Sequence, residues 1–381
     1  MKKIGVGVIG AGNIGFFHTR GLQMVPIYGK YQPEFIILAD LDPAAGKKMG
    51  EKLDFKKITT DWHDVINDPE VDVVTIATPN YLHAEMAIEA AKAGKHVMLE
   101  KPMAMSYEES LAIDRAFEEA GVVNMVDFIY RTVPVNVKLT EMVKDGRLGD
   151  ITYFRGWFNC SYKADPETEL QWRDVKDLAA TGVIGDVIAH TISLSDMIIG
   201  PQVGEITEVC AATDTVFETR EDKAQILDGK TFKVDTDDIC SVIVKYANGR
   251  TGIMYASRIA AGEDCFMGFE IQGTKGAARF NLQRINEMEL YEETDQETRG
   301  FRTVLGKPSH GDYSTFTIYD ECGISYADLF AMHYEKLFEA MDAGNNHLDI
   351  DVNYATKVDR VMCAILKSAE EGRWVKVEEI R

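Results

Sequence analysis

The chain has 381 residues, 45% of them hydrophobic, and a formal net charge of −21. That length suits two domains, and that apolar fraction fills their cores, so a disordered chain is excluded. The acidity, with Lys and Arg gathered on no one face, argues against nucleic acid and membrane surfaces as partners, but leaves room for a phosphate-bearing cofactor held by backbone N–H groups.

In chain order, "IGVGVIG" is predicted as a first strand and "NIGFFHTRGLQMV" as a helix. "EFIILAD" follows as a strand, "PAAGKKMGEKL" as a helix, "VDVVTIAT" as a strand, "HAEMAIEAAKAG" as a helix and "KHVMLE" as a strand. "YEESLAIDRAFEEAG" and "VVNMVDF" add one more helix–strand step. Strands so continuously apolar belong to a parallel sheet covered on both faces. After about residue 130 the pattern changes to a helix near 134–146, then strands such as "ITYFRGWF", "ITEVCAATDTVF" and "FMGFEIQGTKGAARFN". Asn248-Gly249 between two alternating runs predicts a hairpin. Helices are expected near 178–199, 325–343 and 352–371, with "RWVKVEE" as a closing strand. The expected architecture is α/β: a nucleotide-binding domain over 1–128, then an α+β domain over 129–381 with a large, mostly antiparallel open sheet.

The six cysteines form no Cys-x-x-Cys pair, which predicts reduced thiols and no metal site. The opening "MKKIGVGVIGAG" is interrupted by glycines and reads as a strand, not a signal peptide. No apolar stretch approaches the length that crosses a membrane, so the expected location is the cytoplasm.

Gly10, Gly12 and Gly15 form G-x-G-x-x-G between the first strand and its helix, the setting a pyrophosphate loop needs. Asp40 ends the second strand, where a carboxylate accepts from ribose hydroxyls and repels a 2′-phosphate, favouring NAD over NADP. Thr78-Pro79-Asn80 and Glu100-Lys101-Pro102 fall where later strands end, on the edge where open parallel sheets bind ligands. Alone, the second triplet reads as a surface lysine paired with Glu100. Asp186 and His190, four apart on an expected helix, share a face and can act as an acid–imidazole pair.

Together these stretches resemble the Gfo/Idh/MocA oxidoreductases, which include glucose–fructose oxidoreductase and inositol dehydrogenases. The resemblance runs through "GAGNIG", "ATPNYLHAEMAIEAAKAGKHVMLEKPMA", "YRTVPVN", "WRDVKDLAATGVIGDVIAH" and "VDTDDICSVIVKYANGRTG". "SRIAAGEDCFMGFEIQGTKGAARFNLQRINEMELY" looks like the branch that contains levoglucosan dehydrogenase. It implies a Rossmann domain binding NAD, a sugar or cyclic polyol as substrate, and a homo-oligomer, dimer or tetramer. By the same resemblance Lys101, His190 and Asp186 are catalytic. Asn13, Ile14, Thr78, Pro79, Asn80, His83, Glu100, Arg131, Trp172 and Arg173 join the glycine loop and Asp40 around the cofactor. Tyr130 is expected at the substrate. Tyr153, Arg155, Trp157, Tyr162 and His310 are further substrate candidates. Two departures stand out: Ile188 where many members carry glycine, and "GVIG" in place of a glycine pair. A redox-neutral lyase or glycosidase using NAD transiently, a dinucleotide-binding sensor and a carbohydrate-binding module with a vestigial nucleotide site are the rival readings.

Overall fold

Alternating apolar strands and amphipathic helices build the first sheet. The computed structural model describes the chain apart from residues 225, 228, 230, 294, 295, 312–318, 320 and 321. Strands β1 (Lys2–Ile9), β2 (Tyr31–Ala39), β3 (Lys57–Thr59), β4 (Val73–Ile76), β5 (His96–Leu99) and β6 (Asn124–Val126) pair in the order β3-β2-β1-β4-β5-β6. Every neighbouring pair is parallel. Helices α1 (Asn13–Tyr28), α2 (Pro43–Leu53), α3 (Trp62–Asn67), α4 (His83–Lys92) and α5 (Tyr107–Ala120) connect them. Chain order reverses between β1 and β4, which opens a crevice at the carboxyl ends of those strands. The stretch "PIYGKYQP" ends α1, at Tyr28, and begins β2, at Tyr31.

The chain divides into two compact units, Met1–Thr132 with Ile324–Lys357, and Val133–Gly323 with Val358–Arg381. The first unit therefore reclaims a late segment. From it a helix, Tyr326–Ala343, packs on α1 through Phe17, Tyr326 and Phe330, with ring centroids 5.3–6.0 Å apart.

In the second unit α6 (Pro134–Lys144) precedes β7 (Ile151–Asn159). Then come α7 (Lys176–Ala179), α8 (Ala189–Val203) and β8 (Ile206–Asp214). β9 (Thr219–Glu221) and β10 (Thr231–Lys233) form a small ribbon. β11 (Ile239–Tyr246), β12 (Thr251–Ser257), β13 (Phe266–Gly273), β14 (Gly276–Asn281), β15 (Glu287–Glu292), β16 (Arg302–Leu305) and β17 (Val375–Lys376) follow. The helix just described is α9, and α10 is Val352–Glu371. Among the described residues the large sheet runs β16-β15-β14-β13-β7-β12-β11-β8-β17. Only β7 and β12 are parallel neighbours in it. The predicted hairpin joins β11 to β12, with Gly249 at φ +83.

One face of this sheet is buried under α8. Phe154, Gly156 and Phe158 of β7 point there, and a Cβ on Gly156 would stand 2.3 Å from the Thr191 side chain. Among the described residues the other face carries Ile243, Tyr255 and Arg155, all exposed. One expectation needs correcting: Lys176–Val203 is apolar enough by length to cross a membrane, with mean hydropathy 1.4. Its window is 83% buried inside the protein, which is what a core helix shows.

Candidate functional site

The glycine loop is built for close approach. A Cβ on Gly15 would fall 2.0 Å from the Gly10 carbonyl oxygen, so helix and turn meet only without side chains. A Cβ on Gly12 would meet nothing within 4 Å, leaving that backbone open to a ligand. No side chain caps α1 and no acid occupies its first turn, so the N–H groups of Asn13, Ile14 and Gly15 and the helix dipole suit an anion. Asp40 fastens the loop from the next strand: Ala11 N–H donates to its Oδ2 at 2.6 Å and Asp42 N–H to its Oδ1 at 2.8 Å. Both oxygens keep lone pairs for ribose hydroxyls.

Beyond β4 and β5 the two strand-end triplets are tied together. The His83 ring lies 2.9 Å from the Thr78 carbonyl and 3.0 Å from that of Pro102. Burial pushes its pKa down. His83, expected beside the cofactor, is 1% exposed with both ring nitrogens facing backbone carbonyls, so it braces the two loops. Asn80 and Glu100 are buried, while Thr78, Pro79 and Lys101 are half-buried. Lys101 N–H donates to Glu100 Oε2 at 3.0 Å, and the Lys101–Pro102 bond is cis. Arg131 is buried with its guanidinium 4.6 Å from the Tyr354 ring centre and 3.5 Å from Asp349. Tyr130 is 4% exposed and packs 6.3 Å from Tyr326.

In the second unit the helix expected over 178–199 is interrupted. Ala180 sits at φ +60, and Ile184–Ile188 forms a wide π turn before α8 begins. Such turns recur at functional sites, and this one carries Asp186 just ahead of His190. Asp237 supplies its start, accepting from Gly182 N–H at 2.7 Å and Ile184 N–H at 2.9 Å. Tyr162 donates its hydroxyl to Asp186 Oδ2 at 2.6 Å, and Arg173 Nε lies 3.4 Å from Oδ1. Burial, then the neighbouring carboxylate, raise the Tyr162 pKa well above a free phenol's. His190 is 6% exposed, with Phe158 at 5.9 Å between ring centres. Arg173 stacks at 4.2 Å on Trp172. Through Arg173 this pair meets Asp186, on the imidazole side of the second unit.

Three substrate candidates are misplaced by the strand's two-residue period. Phe158 faces His190, so Tyr153, Arg155 and Trp157 point to the opposite face of the sheet. There Arg155 pairs with Glu270 at 3.0 Å. His310 is 5% exposed, and its Nδ1 accepts Lys307 N–H at 3.2 Å, so its ring closes a local turn.

The turn that presents Arg173 hangs on charges no motif announced. Asp174 Oδ2 accepts from Lys163 Nζ at 2.5 Å and Gln171 N–H at 2.8 Å, while Oδ1 lies 3.2 Å from Arg258. All three charged side chains are at most 1% exposed. Asp174→Ala leaves two buried cations short of a partner and is expected to cost about 3–5 kcal/mol, read as a lower urea midpoint. Burial holds the Lys163 pKa down at about 8 against 10.5 for a free lysine. The unfolded chain therefore binds the extra proton between those values, so this lysine's contribution to stability rises with pH across that window.

A glycine loop this bare, fastened to an acid at the end of the second strand, defines a dinucleotide-binding protein, and its second unit places Asp186 one turn before His190. The description "Oxidoreductase family, NAD-binding Rossmann fold" matches residues 4–128, and the GFO/IDH/MocA C-terminal domain matches 136–279. The chain belongs to the Gfo/Idh/MocA oxidoreductase family and carries its NAD-binding domain. It is 33% identical to levoglucosan dehydrogenase of Pseudarthrobacter phenanthrenivorans over 100% of both chains. It is 26% identical to myo-inositol 2-dehydrogenase of Thermotoga maritima over 98% of this chain and 99% of that one. A structure of levoglucosan dehydrogenase in complex with NADH and levoglucosan superposes with a TM-score of 0.92, at 33% identity, covering 99% of this chain and 100% of that one.

Proposed function

We propose that the chain is an NAD-dependent dehydrogenase that oxidises a secondary hydroxyl of a sugar, glycoside or cyclic polyol. The observation that carries this reading is the pairing of a fastened dinucleotide loop with Asp186, held by Tyr162 and Arg173 one turn before His190. Full-length likeness to a levoglucosan dehydrogenase and an inositol dehydrogenase supports the substrate class.

Bound NAD supplies the hydride-accepting chemistry. The chain's own residues do the rest. His190 takes the hydroxyl proton as general base, and Lys101 stabilises negative charge developing on that oxygen. Asp186, oriented by Tyr162 and Arg173, holds His190 and one substrate hydroxyl. Asp40 accepts from the adenosine ribose. The apolar side chains on the open sheet face, Ile243 at 44% and Tyr255 at 37% exposure, support a homodimer or tetramer that covers them. Free cysteines fit the cytoplasm as its location.

The test is NADH formation from NAD by the purified protein against inositols, aldoses and anhydro-sugars, with NADP in parallel. Turnover with NAD and one such alcohol is expected. Product formed without net NADH would replace this reading with redox-neutral elimination.

A further inference from the structure

His18 and His333 carry no motif, yet both lie in a buried polar network of the first unit. Six side chains from five separate stretches converge: His18 from α1, Thr75 from β4, Glu100 after β5, Asp127 after β6, and His333 with Tyr334 from α9. Five are at most 2% exposed and Glu100 is 8% exposed. Tyr334 hydroxyl lies 2.7 Å from Thr75 Oγ1 and 2.9 Å from His18 Nδ1. His18 Nε2 is 3.0 Å from Glu100 Oε1 and 3.6 Å from Asp127 Oδ2. Glu100 and Asp127 are hydrogen-bonded to each other, and His333 Nδ1 reaches Asp127 Oδ1 at 2.6 Å.

A hydrogen bond between two carboxyl groups needs a proton on one of them. Placing it on Asp127 satisfies the whole chain. Thr75 donates to Tyr334, Tyr334 to His18 Nδ1, and His18 Nε2–H to Glu100 Oε1. Asp127 O–H donates to Glu100, and His333 Nδ1–H donates to Asp127 Oδ1. Glu100 Oε2 is left to accept Lys101 N–H. The single unmet atom is the His333 Nε2 lone pair, and an unpartnered acceptor is the cheaper kind of orphan. Ionising both acids would bury two negative charges side by side.

We propose that Asp127 is a positioning residue kept protonated, whose O–H holds the ionised Glu100 carboxylate against Lys101. This rests on the reading of Lys101 as the group that meets the substrate oxygen. Burial first, then Glu100, raise the Asp127 pKa well above the usual range, opposed by His18 and Lys101. Burial brings His333 down to about 3, so it stays neutral, with Lys336, Asp349 and Arg131 as its more distant charges. The ligand-type atoms of His18, Glu100 and Asp127 also lie within 4.8 Å of one another. Both His18 nitrogens and both Asp127 oxygens already have protein partners, which favours the shared proton over a cation.

Infrared spectroscopy of the full-length protein tests this without turnover. The difference spectrum between the wild type and Asp127→Asn is expected to show the C=O stretch of a protonated carboxyl, lost in the variant. Its absence overturns the proposal, as does a stoichiometric metal ion in the purified protein. In turnover, Asp127→Ala is expected to lower kcat by about tenfold and Asp127→Asn to recover most of that, because an amide N–H donates where the acid O–H does. An asparagine variant as poor as the alanine one means that ionised Asp127 is required, as in a pair with a charged His18, and also overturns it. If no alcohol is oxidised, the proposed function fails while the infrared result still decides the state of Asp127; if Asp127→Ala does not fold, the asparagine spectrum decides alone.

Discussion

Lys101→Ala is expected to lower kcat by about a hundred- to a thousandfold while NADH still binds within a few-fold of the wild-type affinity. The magnitude is that of removing one fixed charge aimed at a developing oxyanion in a water-poor site. The backbone around this lysine is held independently of its side chain. Its N–H donates to Glu100 Oε2, Glu100 N–H continues the ladder to Ile76 O at 3.0 Å, and His83 holds the Pro102 carbonyl. Truncation should therefore delete an ammonium without collapsing the loop. Lys101→Arg should recover little, because a planar guanidinium cannot occupy the position of a compact ammonium. Stopped-flow turnover and NADH fluorescence titration separate the two parameters. A variant that loses cofactor affinity but keeps kcat would assign Lys101 to the cofactor alone.

Much of the first unit was legible because its signals are local. Each buried strand is an apolar run, and the glycine loop sits at a strand–helix junction whose geometry demands it. β3 escaped because it is three residues long, with Lys57 and Ile58 exposed, so no apolar run marks it. The return of α9 to the first unit was not legible either. Its apolar face fits α1, but nothing in its own sequence says which unit supplies the partner.

The site followed the same division. Lys101 and the Asp186–His190 spacing are short-range patterns, whereas what holds them comes from far along the chain. Asp237 starts the π turn from about fifty residues away, and five residues of wide turn have no period distinguishable from an α-helix. Asp127 meets His333 across more than two hundred positions. The misplacement of Tyr153 and Arg155 differs in kind. "ITYFRGWF" alternates, so Phe154, Gly156 and Phe158 share one face and the odd positions the other. That parity was in the sequence; which face met His190 was not.

The second large effect is expected at His190. His190→Ala should lower kcat by about a thousandfold, within the range for losing a positioned general base. A packing role alone would give a different result. His190 is buried beside Phe158, so a merely structural loss would appear as a lower unfolding midpoint with turnover per folded molecule preserved. The decisive experiment is a cycle with Asp186→Asn. Asp186 is held by Tyr162 at 2.6 Å and faces Arg173 at 3.4 Å, so in the single variant its replacement should disturb His190 and cost about ten- to a hundredfold. In the double variant the base is already gone, and kcat should fall little below that of His190→Ala. Fully additive losses would mean that Asp186 meets the substrate without acting through His190. A wild-type rate in His190→Ala would remove the base altogether, leaving Tyr162, whose hydroxyl already points at the acid, as the group to replace next.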